Sequence, residues 1–289
     1  MKWSLLLLCC CFPLYAEKFV IGSAEKEGFF SSFLAVLNNL AWAEKNGKTP
    51  VVQWNEISYY YQPEGVNGSY NPWEYYFEPV SDERYVPGDK LHQWCCAPDG
   101  FTIWASFFSD PDQFHAQARF QGKALIDKYI RIRPSILEKV ENFYRQKIAK
   151  KFTIGIHLRG TDRYTKQAKN AMVHDSIEAA LRIAKETGKN CQFFVATDEE
   201  SLLDYAKTHL KGKVLFCDSC RSKDGLPIHS AAGRSAALLG EEILIEALLL
   251  AKCDHFVYSL SCIPLAVLLF NPSLPNEYLP PYRWLYPSQ

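Results

Sequence analysis

Residues 154–164, IGIHLRGTDRY, combine an apolar run with side chains that can bind an anion. The run alternates like a buried strand, and Arg159, Gly160 and Asp162 follow its carboxyl end. In open α/β sheets, ligands bind in the crevice beyond the carboxyl ends of the strands. A guanidinium there, beside backbone N–H groups that a glycine leaves accessible, is suited to a phosphate. An ordinary loop whose arginines pair with surface carboxylates is the alternative that this stretch leaves open.

Polar side chains also follow two other predicted strands of the second half. Thr197, Asp198 and Glu199 follow one of them, and Ser259 and Ser261 follow the other. Capping of the next helix by Thr197 or Asp198 would explain the first cluster, but not the polarity of all three strand ends. If the three strands are neighbours, their polar ends share one rim of the sheet. That rim suits a ligand with hydroxyl and anionic groups, such as a nucleotide sugar.

The spacing of apolar residues predicts the elements that hold these side chains. We expect strands at residues 18–22, 51–54, 152–158, 192–196, 213–217 and 255–258. We expect helices at 29–46, at 116–151 with a break near Pro134, and at 173–187, 200–209, 241–252 and 263–270, with a long loop at 218–240. Alternating strands and helices are typical of an α/β protein with a parallel, doubly wound sheet. The prediction is two Rossmann-like domains facing a cleft, residues 17–150 and 151–289.

Residues 55–115 show no sustained period and are rich in tyrosine, tryptophan, proline and glycine. Aromatic faces stack on sugar rings, so this region is a candidate surface for a sugar acceptor. The same rings can equally pack an irregular core. The sequence leaves both interpretations open.

The balance of charge excludes several classes of partner. The chain has 289 residues, of which 32 are Lys or Arg and 32 are Asp or Glu, so the formal net charge is zero. Nucleic-acid-binding domains and proteins held on anionic membranes by charge carry a basic excess. Any phosphate-binding charge in this chain must therefore be local, and we expect no nucleic acid partner.

The first 16 residues, MKWSLLLLCCCFPLYA, have the pattern of a secretory signal peptide. Lys2 precedes an apolar run, and the small residue Ala16 precedes charged Glu17. The run is too short to span a bilayer. We expect cleavage after Ala16 and a mature chain in the lumen of the secretory pathway or outside the cell, with no transmembrane span.

Cysteine spacing gives a weaker signal. Cys217 and Cys220 have the spacing of a redox motif, but they follow a predicted strand and lack the helix start that such motifs use. A structural disulfide or simple packing fits them better than thiol–disulfide catalysis. No second pair of ligands stands at zinc spacing, so we expect no metal site.

Three segments resemble the motifs of the GDP-fucose-dependent fucosyltransferases, the superfamily of α1,6- and protein O-fucosyltransferases. They are residues 155–162 (GIHLRGTD), residues 195–198 (VATD), and residues 240–261 with Glu246 and Ser261; the loop at Gly28 and Phe29 is similar to the family's first βα turn more loosely. The similarity covers most of the mature chain and is specific between about residues 150 and 270.

The resemblance implies a metal-independent, inverting transfer of fucose from GDP-fucose to a glycan or protein acceptor. It implies a GT-B-like arrangement without a cofactor, with the donor on residues 151–289 and the acceptor on residues 17–150. The residues that would bind the donor are Gly28, Phe29, His157, Arg159, Gly160, Asp162, Asp198, Glu199, Glu246 and Ser261.

The resemblance also implies individual roles. Arg159 would be catalytic, because it would hold the β-phosphate and stabilise GDP as it leaves. His157 would line the donor pocket, and Ser261 would lie near a phosphate. Asp198 with its neighbour Glu199 would contact the nucleoside.

The chain departs from the family's pattern at two positions. Gly160 stands where the α1,6 enzymes often carry a second arginine. Glu246, which would lie near guanine or ribose, stands where an aspartate is often found.

Two other functions compete with this interpretation. Asp110 and Asp112 have the D-x-D spacing of metal-dependent glycosyltransferases, although Ser-Asp-Pro-Asp also fits a turn. A secreted carbohydrate-binding protein without turnover is the second alternative, and the aromatic segment at residues 57–77 favours it.

Overall fold

A computed structural model of the chain describes residues 16–23, 25–93, 96–100, 102, 116–161, 166–228 and 234–280. The strands are β1 (Lys18–Gly22), β2 (Thr49–Gln53), β3 (Leu91–His92), β4 (Phe152–Leu158), β5 (Cys191–Thr197), β6 (Lys213–Leu215), β7 (His255–Ser259) and β8 (Asn276–Leu279). The helices are α1 (Phe29–Lys45), α2 (Pro72–Tyr76), α3 (Ala116–Tyr129), α4 (Pro134–Phe143), α5 (Lys166–Thr187), α6 (Glu200–His209), α7 (Ala236–Ala251) and α8 (Cys262–Phe270). A π-helical turn, Tyr144–Ile148, extends α4.

Among these described helices, none has both the length and the hydropathy needed to cross a bilayer. Residues 1–15 of the predicted signal peptide lie outside the described residues.

The second half of the chain forms a parallel sheet of five strands in the order β6-β5-β4-β7-β8. The register places Leu158 at the end of β4 beside Thr197 at the end of β5, and His157 beside Tyr258 of β7. Strands β5 and β6 extend to one side of β4, whereas β7 and β8 extend to the other. This reversal is the switch point of doubly wound sheets, where ligands bind. The three polar strand ends are therefore neighbours, as the sequence analysis required.

Strand β4 forms at the centre of this sheet because its side chains are buried on both faces. Ile154, Ile156 and Leu158 are fully buried on one face. On the other face, a Cβ on Gly155 would lie 3.0 Å from Cδ2 of Leu250, so helix α7 packs closely against the backbone of β4. Helices on both faces are the usual covering of a parallel sheet.

The first half of the chain has a smaller parallel sheet in the order β2-β1-β3. Strand β1 has the predicted bounds, and α1 connects it to β2 as a βαβ unit. The third strand, β3, comprises only Leu91 and His92. The chain is thus an α/β protein with two parallel sheets, one in each half.

The apolar core continues from one half of the chain into the other. Phe30 and Phe33 of α1 contact Phe270 of α8, with ring centroids 6.2 and 5.8 Å apart. The Tyr76 hydroxyl, in the first half, donates a hydrogen bond of 2.9 Å to the Ala237 carbonyl of α7. The division of the chain into domains at residue 150 stays a prediction.

The aromatic segment of the first half mainly forms core. The side chains that are at most 1% exposed include Trp54, Tyr60, Trp73, Tyr76 and Phe77. Several of these rings meet Phe29 edge to face, with centroids 5.0 Å away for Tyr76 and 5.3 Å for Tyr60. Packing is therefore the role of these rings; Tyr70, at 62% exposure, is an exception.

Helix α7 begins five residues before its predicted start at residue 241, because Ser235 caps it with a side-chain hydrogen bond from the Leu238 N–H. Gly240, predicted to end a loop, therefore lies inside the helix. A Cβ at this position would meet the hydroxyl and ring of Tyr76 and would lie 3.0 Å from Cδ1 of Tyr60. The glycine allows α7 to pack against the aromatic core.

Gly240→Val is expected to lower the free energy of unfolding by about 3 kcal/mol, because overpacking a rigid core costs about 1–3 kcal/mol and valine has two further methyl groups to place. Chemical denaturation followed by tryptophan fluorescence measures this change. The matched control is Asn142→Val at an exposed position of helix α4. Equal stabilities of the two variants would show that the close packing at Gly240 is unimportant.

Candidate functional site

A pocket opens at the carboxyl edge of the five-stranded sheet, at its switch point. Most of the residues predicted to bind the donor line it: Gly28, Phe29, His157, Arg159, Asp198, Glu246 and Ser261. Gly160 and Glu199 are not among the lining residues, and Asp162 lies outside the described residues. The fold thus brings together side chains that are more than 200 positions apart in the sequence.

Arg159 lines this pocket together with the N-terminal ends of two helices. Gly28 directly precedes α1, and Ser261 is the N-cap residue of α8, where its hydroxyl accepts a hydrogen bond of 3.4 Å from the Ile263 N–H. Neither helix has an acidic residue in its first turn. Helix N termini present N–H groups with partial positive charge. Together with a guanidinium they form an environment suited to phosphate.

Asp198 holds the loop that carries Arg159. One carboxylate oxygen, Oδ1, accepts a hydrogen bond of 2.6 Å from the Gly160 N–H, and Oδ2 accepts one of 2.7 Å from the Thr161 hydroxyl. The same Oδ2 lies 3.8 Å from Nε of Arg159. Asp198 does not cap helix α6, whose N-cap residue is Glu199. Its first structural role is therefore to fix the backbone that positions the guanidinium.

Glu199 lies on the other side of Gly160. A Cβ on Gly160 would lie 2.6 Å from both Cβ and Oε2 of Glu199, so no larger residue fits here without movement of the backbone. Glu199 accepts a hydrogen bond of 2.6 Å from Nζ of Lys169 on helix α5 and another of 2.6 Å from the Ser201 hydroxyl. This packing explains why position 160 carries a glycine and not a second arginine.

His157 is buried in the floor of the pocket. Burial, and in second place the charge of Arg159, lowers the pKa of His157 to about 3. The imidazole is therefore neutral at physiological pH. Within the described part of the chain, no group hydrogen-bonds its Nδ1 atom. A buried nitrogen without a partner is costly, so a bound ligand is the natural partner for it.

Glu246, which lines the pocket, pairs with Arg221, which lies behind the lining residues. The Oε1 atom of Glu246 lies 3.5 Å from a terminal nitrogen of Arg221, and both side chains are largely buried. Burial raises the pKa of Glu246 to about 7, although Arg221 and a hydrogen bond from Ser219 act in the opposite direction. The carboxyl group is thus poised to ionise near neutral pH when a donor approaches it.

Three residues of the site, or in contact with it, were not predicted from the sequence. The Tyr60 hydroxyl accepts a hydrogen bond of 2.8 Å from the Phe29 N–H at the start of α1. Glu242 lines the pocket and accepts a hydrogen bond of 2.8 Å from the Cys220 N–H. Its position four residues before Glu246 places both acids on one face of α7, a spacing that the sequence does contain. No sequence signal marks Tyr60 or Arg221.

Cysteines and metal ligands add no separate chemistry to the described site. Cys217 and Cys220 are free thiols, so of the two alternatives left open by the sequence, packing is the one observed. Burial raises the pKa of the Cys217 thiol well above its usual range, which disfavours the reactive thiolate. In the described ranges, no group of three or more His, Cys, Asp or Glu side chains could hold a metal ion. Asp110 and Asp112 of the D-x-D pattern lie outside those ranges.

No family model matches the chain. A curated relative, Nodulation protein Z of Bradyrhizobium diazoefficiens, is 22% identical over 288 residues, which cover 83% of this chain and 75% of the relative. Two solved structures share the fold of this chain at low sequence identity. NodZ α-1,6-fucosyltransferase co-crystallised with GDP has a TM-score of 0.57 and 20% identity over 88% of this chain and 92% of its own.

POFUT1 in complex with GDP has a TM-score of 0.53 and 12% identity over 90% of this chain and 98% of its own. The chain therefore has an α/β fold similar to that of these enzymes along nearly its whole length. The predicted resemblance to the GDP-fucose-dependent fucosyltransferases is confirmed at the level of the fold.

Proposed function

We propose that this chain is a glycosyltransferase that transfers fucose from GDP-fucose to a glycan or protein acceptor by a metal-independent, inverting reaction. The observation that carries the proposal is the fixed guanidinium of Arg159 at the switch point, held by Asp198 and flanked by two helix N termini. Structures with a similar fold were solved with GDP, which has the charge that this pocket is built to receive.

The pocket supports a specific distribution of roles. Arg159, the N-terminal end of α8 at Ser261 and the N-terminal end of α1 at Gly28 receive the diphosphate. Phe29, whose N–H is already bonded to the Tyr60 hydroxyl, lines the donor pocket beside them. His157 offers a neutral nitrogen to the donor. Asp162 keeps its predicted place in donor binding.

We assign recognition of the guanine base to the carboxylate of Glu246. Guanine presents two adjacent N–H donors on its Watson–Crick edge, and a carboxylate accepts both of them. Asp198 also lines the pocket, so it can contact the nucleoside while its carboxylate stays hydrogen-bonded to the Arg159 loop. Glu199 does not line the pocket and instead supports that loop by packing against Gly160.

Arg159 also supports the chemical step. As the bond from fucose C1 to the β-phosphate oxygen breaks, negative charge develops on GDP and positive charge on the sugar. A preorganised group aimed at developing negative charge is worth about 3–4 kcal/mol of transition-state stabilisation. The acceptor oxygen forms the new bond to C1 from the face opposite GDP, GDP leaves with the electron pair of the broken bond, and the hydroxyl proton passes to solvent. The configuration at C1 is thereby inverted.

The two halves of the chain suggest a division of labour. We place the donor on residues 151–289 and the acceptor on residues 17–150, in two Rossmann-like domains that face a cleft. The signal-like residues 1–16 support action in the lumen of the secretory pathway, where the acceptor would be a glycan or glycoprotein.

Titration calorimetry with GDP, ADP and UDP, with and without EDTA, tests the proposal. We expect GDP to bind at least about tenfold more tightly than ADP or UDP, which corresponds to about 1.4 kcal/mol of base recognition. EDTA should leave the affinity unchanged. A loss of binding in EDTA would favour the D-x-D enzyme, and absence of nucleotide binding would leave a carbohydrate-binding protein. The structure gives that last alternative less support, because most rings of its aromatic segment are buried.

A further inference from the structure

An ion pair lies beneath the Arg159 loop, outside the pocket. Nζ of Lys169 donates a hydrogen bond of 2.6 Å to Oε2 of Glu199, and the two side chains are 16% and 12% exposed. Burial of such a pair costs desolvation free energy that its mutual attraction only partly offsets. A contribution to the stability of the fold therefore does not by itself explain why this buried ion pair is present.

The position of the pair gives that reason. The Glu199 carboxylate lies against Gly160, the residue directly after Arg159, and only the absence of a side chain at Gly160 allows this approach. Asp198 contacts the same loop through the N–H of Gly160 and the hydroxyl of Thr161. Two consecutive carboxylates thus face the described part of the loop, residues 159–161, whose one guanidinium is that of Arg159.

Among the described residues, the two carboxylates have different partners. Asp198 is engaged by the loop itself, whereas Glu199 is engaged by Lys169 and by the Ser201 hydroxyl. If Lys169 were uncharged, Glu199 would be a largely buried carboxylate with no cation among the described side chains. Because Glu199 lies against Gly160, the guanidinium of the adjacent Arg159 would then be the described cation able to compensate it.

We propose that Lys169 is a positioning residue that neutralises Glu199 and so leaves Arg159 available to the β-phosphate. The inference rests on the proposed function, because it needs the phosphate site at Arg159. Lys169 acts through Glu199 and does not line the pocket itself. Its removal should weaken the recognition of the β-phosphate and leave the recognition of the nucleoside unchanged.

The ratio of the dissociation constants for GMP and GDP isolates this effect, because the two ligands differ only in the β-phosphate. In the full chain, Lys169→Met should reduce the preference for GDP by about tenfold, the loss expected when one charged hydrogen bond is weakened. The affinity for GMP should change by less than about twofold. A purely structural role of Lys169 would weaken both ligands together, so an unchanged ratio overturns the proposal.

The double variant Lys169→Met/Glu199→Gln separates charge from packing. It lacks the competing carboxylate, so the preference for GDP should return to within about twofold of the wild-type value. A double variant as deficient as Lys169→Met would overturn the role assigned to the Glu199 charge. If Lys169→Met does not fold, Lys169→Gln keeps a polar head without charge and permits the same comparison.

Two controls complete the experiment. Lys207→Met removes a lysine from a more exposed ion pair, with Asp204 at 3.2 Å, and should leave both affinities unchanged. Wild-type protein that binds GMP and GDP equally would show that the phosphate site itself is wrong. That result would reject the proposed function, whereas a wild-type preference for GDP that survives in Lys169→Met rejects only the role of Lys169.

Discussion

Arg159→Ala is expected to reduce fucosyl transfer by about 100- to 1000-fold, the usual cost of removing one preorganised group that stabilises developing charge. The effect should be this large because Asp198 and Gly160 hold the guanidinium loop in place before any donor binds. The affinity for GDP should fall as well, by about 10- to 100-fold, since a charged hydrogen bond contributes about 1.5–3 kcal/mol. Release of GDP from GDP-fucose and titration calorimetry measure the two quantities separately.

Arg145→Ala is the matched control for this experiment. Arg145 forms an exposed ion pair of 2.6 Å with Glu141, and such pairs contribute little. Arg159→Lys keeps the charge but loses the planar fork, so its activity should lie between that of Arg159→Ala and that of the wild type. Full activity of Arg159→Ala would remove the residue from the mechanism.

The affinity for GDP is expected to rise with pH until Glu246 is ionised. Burial raises the pKa of Glu246 to about 7, so below that pH the free protein carries a protonated carboxyl group. The N–H donors of guanine require the carboxylate. Binding therefore releases a proton at low pH, and the affinity should fall by up to about tenfold for each pH unit below the pKa.

Glu246→Gln distinguishes this residue from the ligand's own titration. The terminal phosphate of GDP also ionises, with a pKa of about 6 by analogy with phosphorylated side chains, and its contribution should persist in the variant. Titrations of both proteins between about pH 5.5 and pH 8 then give the Glu246 contribution by difference. His157 should not contribute, because its pKa is about 3. Identical pH profiles would show that Glu246 does not bind the base.

The raised pKa of Glu246 also makes the free energy of unfolding depend on pH, and this free energy falls over the range in which the affinity for GDP rises. A carboxyl group whose pKa is raised on folding is stabilising while it is protonated. Its contribution is complete below the ordinary pKa of 4.5 and is lost as the pH rises toward about 7. Conditions that favour GDP binding are thus those in which the unliganded protein loses this stabilisation.

The regular elements of the second half were predictable because their patterns are local. Strand β4 has the predicted bounds, 152–158, since its alternation of apolar side chains reflects burial on a parallel sheet. Helix α5 begins at Lys166, seven residues before the predicted start, because polar residues in its first turns hide the apolar period. Strand β8, which pairs only with β7 at the edge, was not predicted.

The site was predictable to the extent that chemistry follows strand ends. Arg159, Asp198 and Ser261 could be assigned to one pocket once the strand order was assumed. The contact of Asp198 with Gly160 could not be predicted, because it depends on the distance between two loops. Tyr60 was hidden for a similar reason, since its hydroxyl reaches the Phe29 N–H from an irregular segment 31 residues away.

The continuous core described between α1 and α8 restricts how ligands can enter and leave. Separation of the two halves as rigid bodies would expose Phe33, Phe270 and their neighbours to water. Each square ångström of apolar surface so exposed costs about 25 cal/mol, which opposes a rigid-body opening. We therefore expect the proposed substrate and product to exchange through small displacements around Arg159 and Gly28, with the two halves staying in contact.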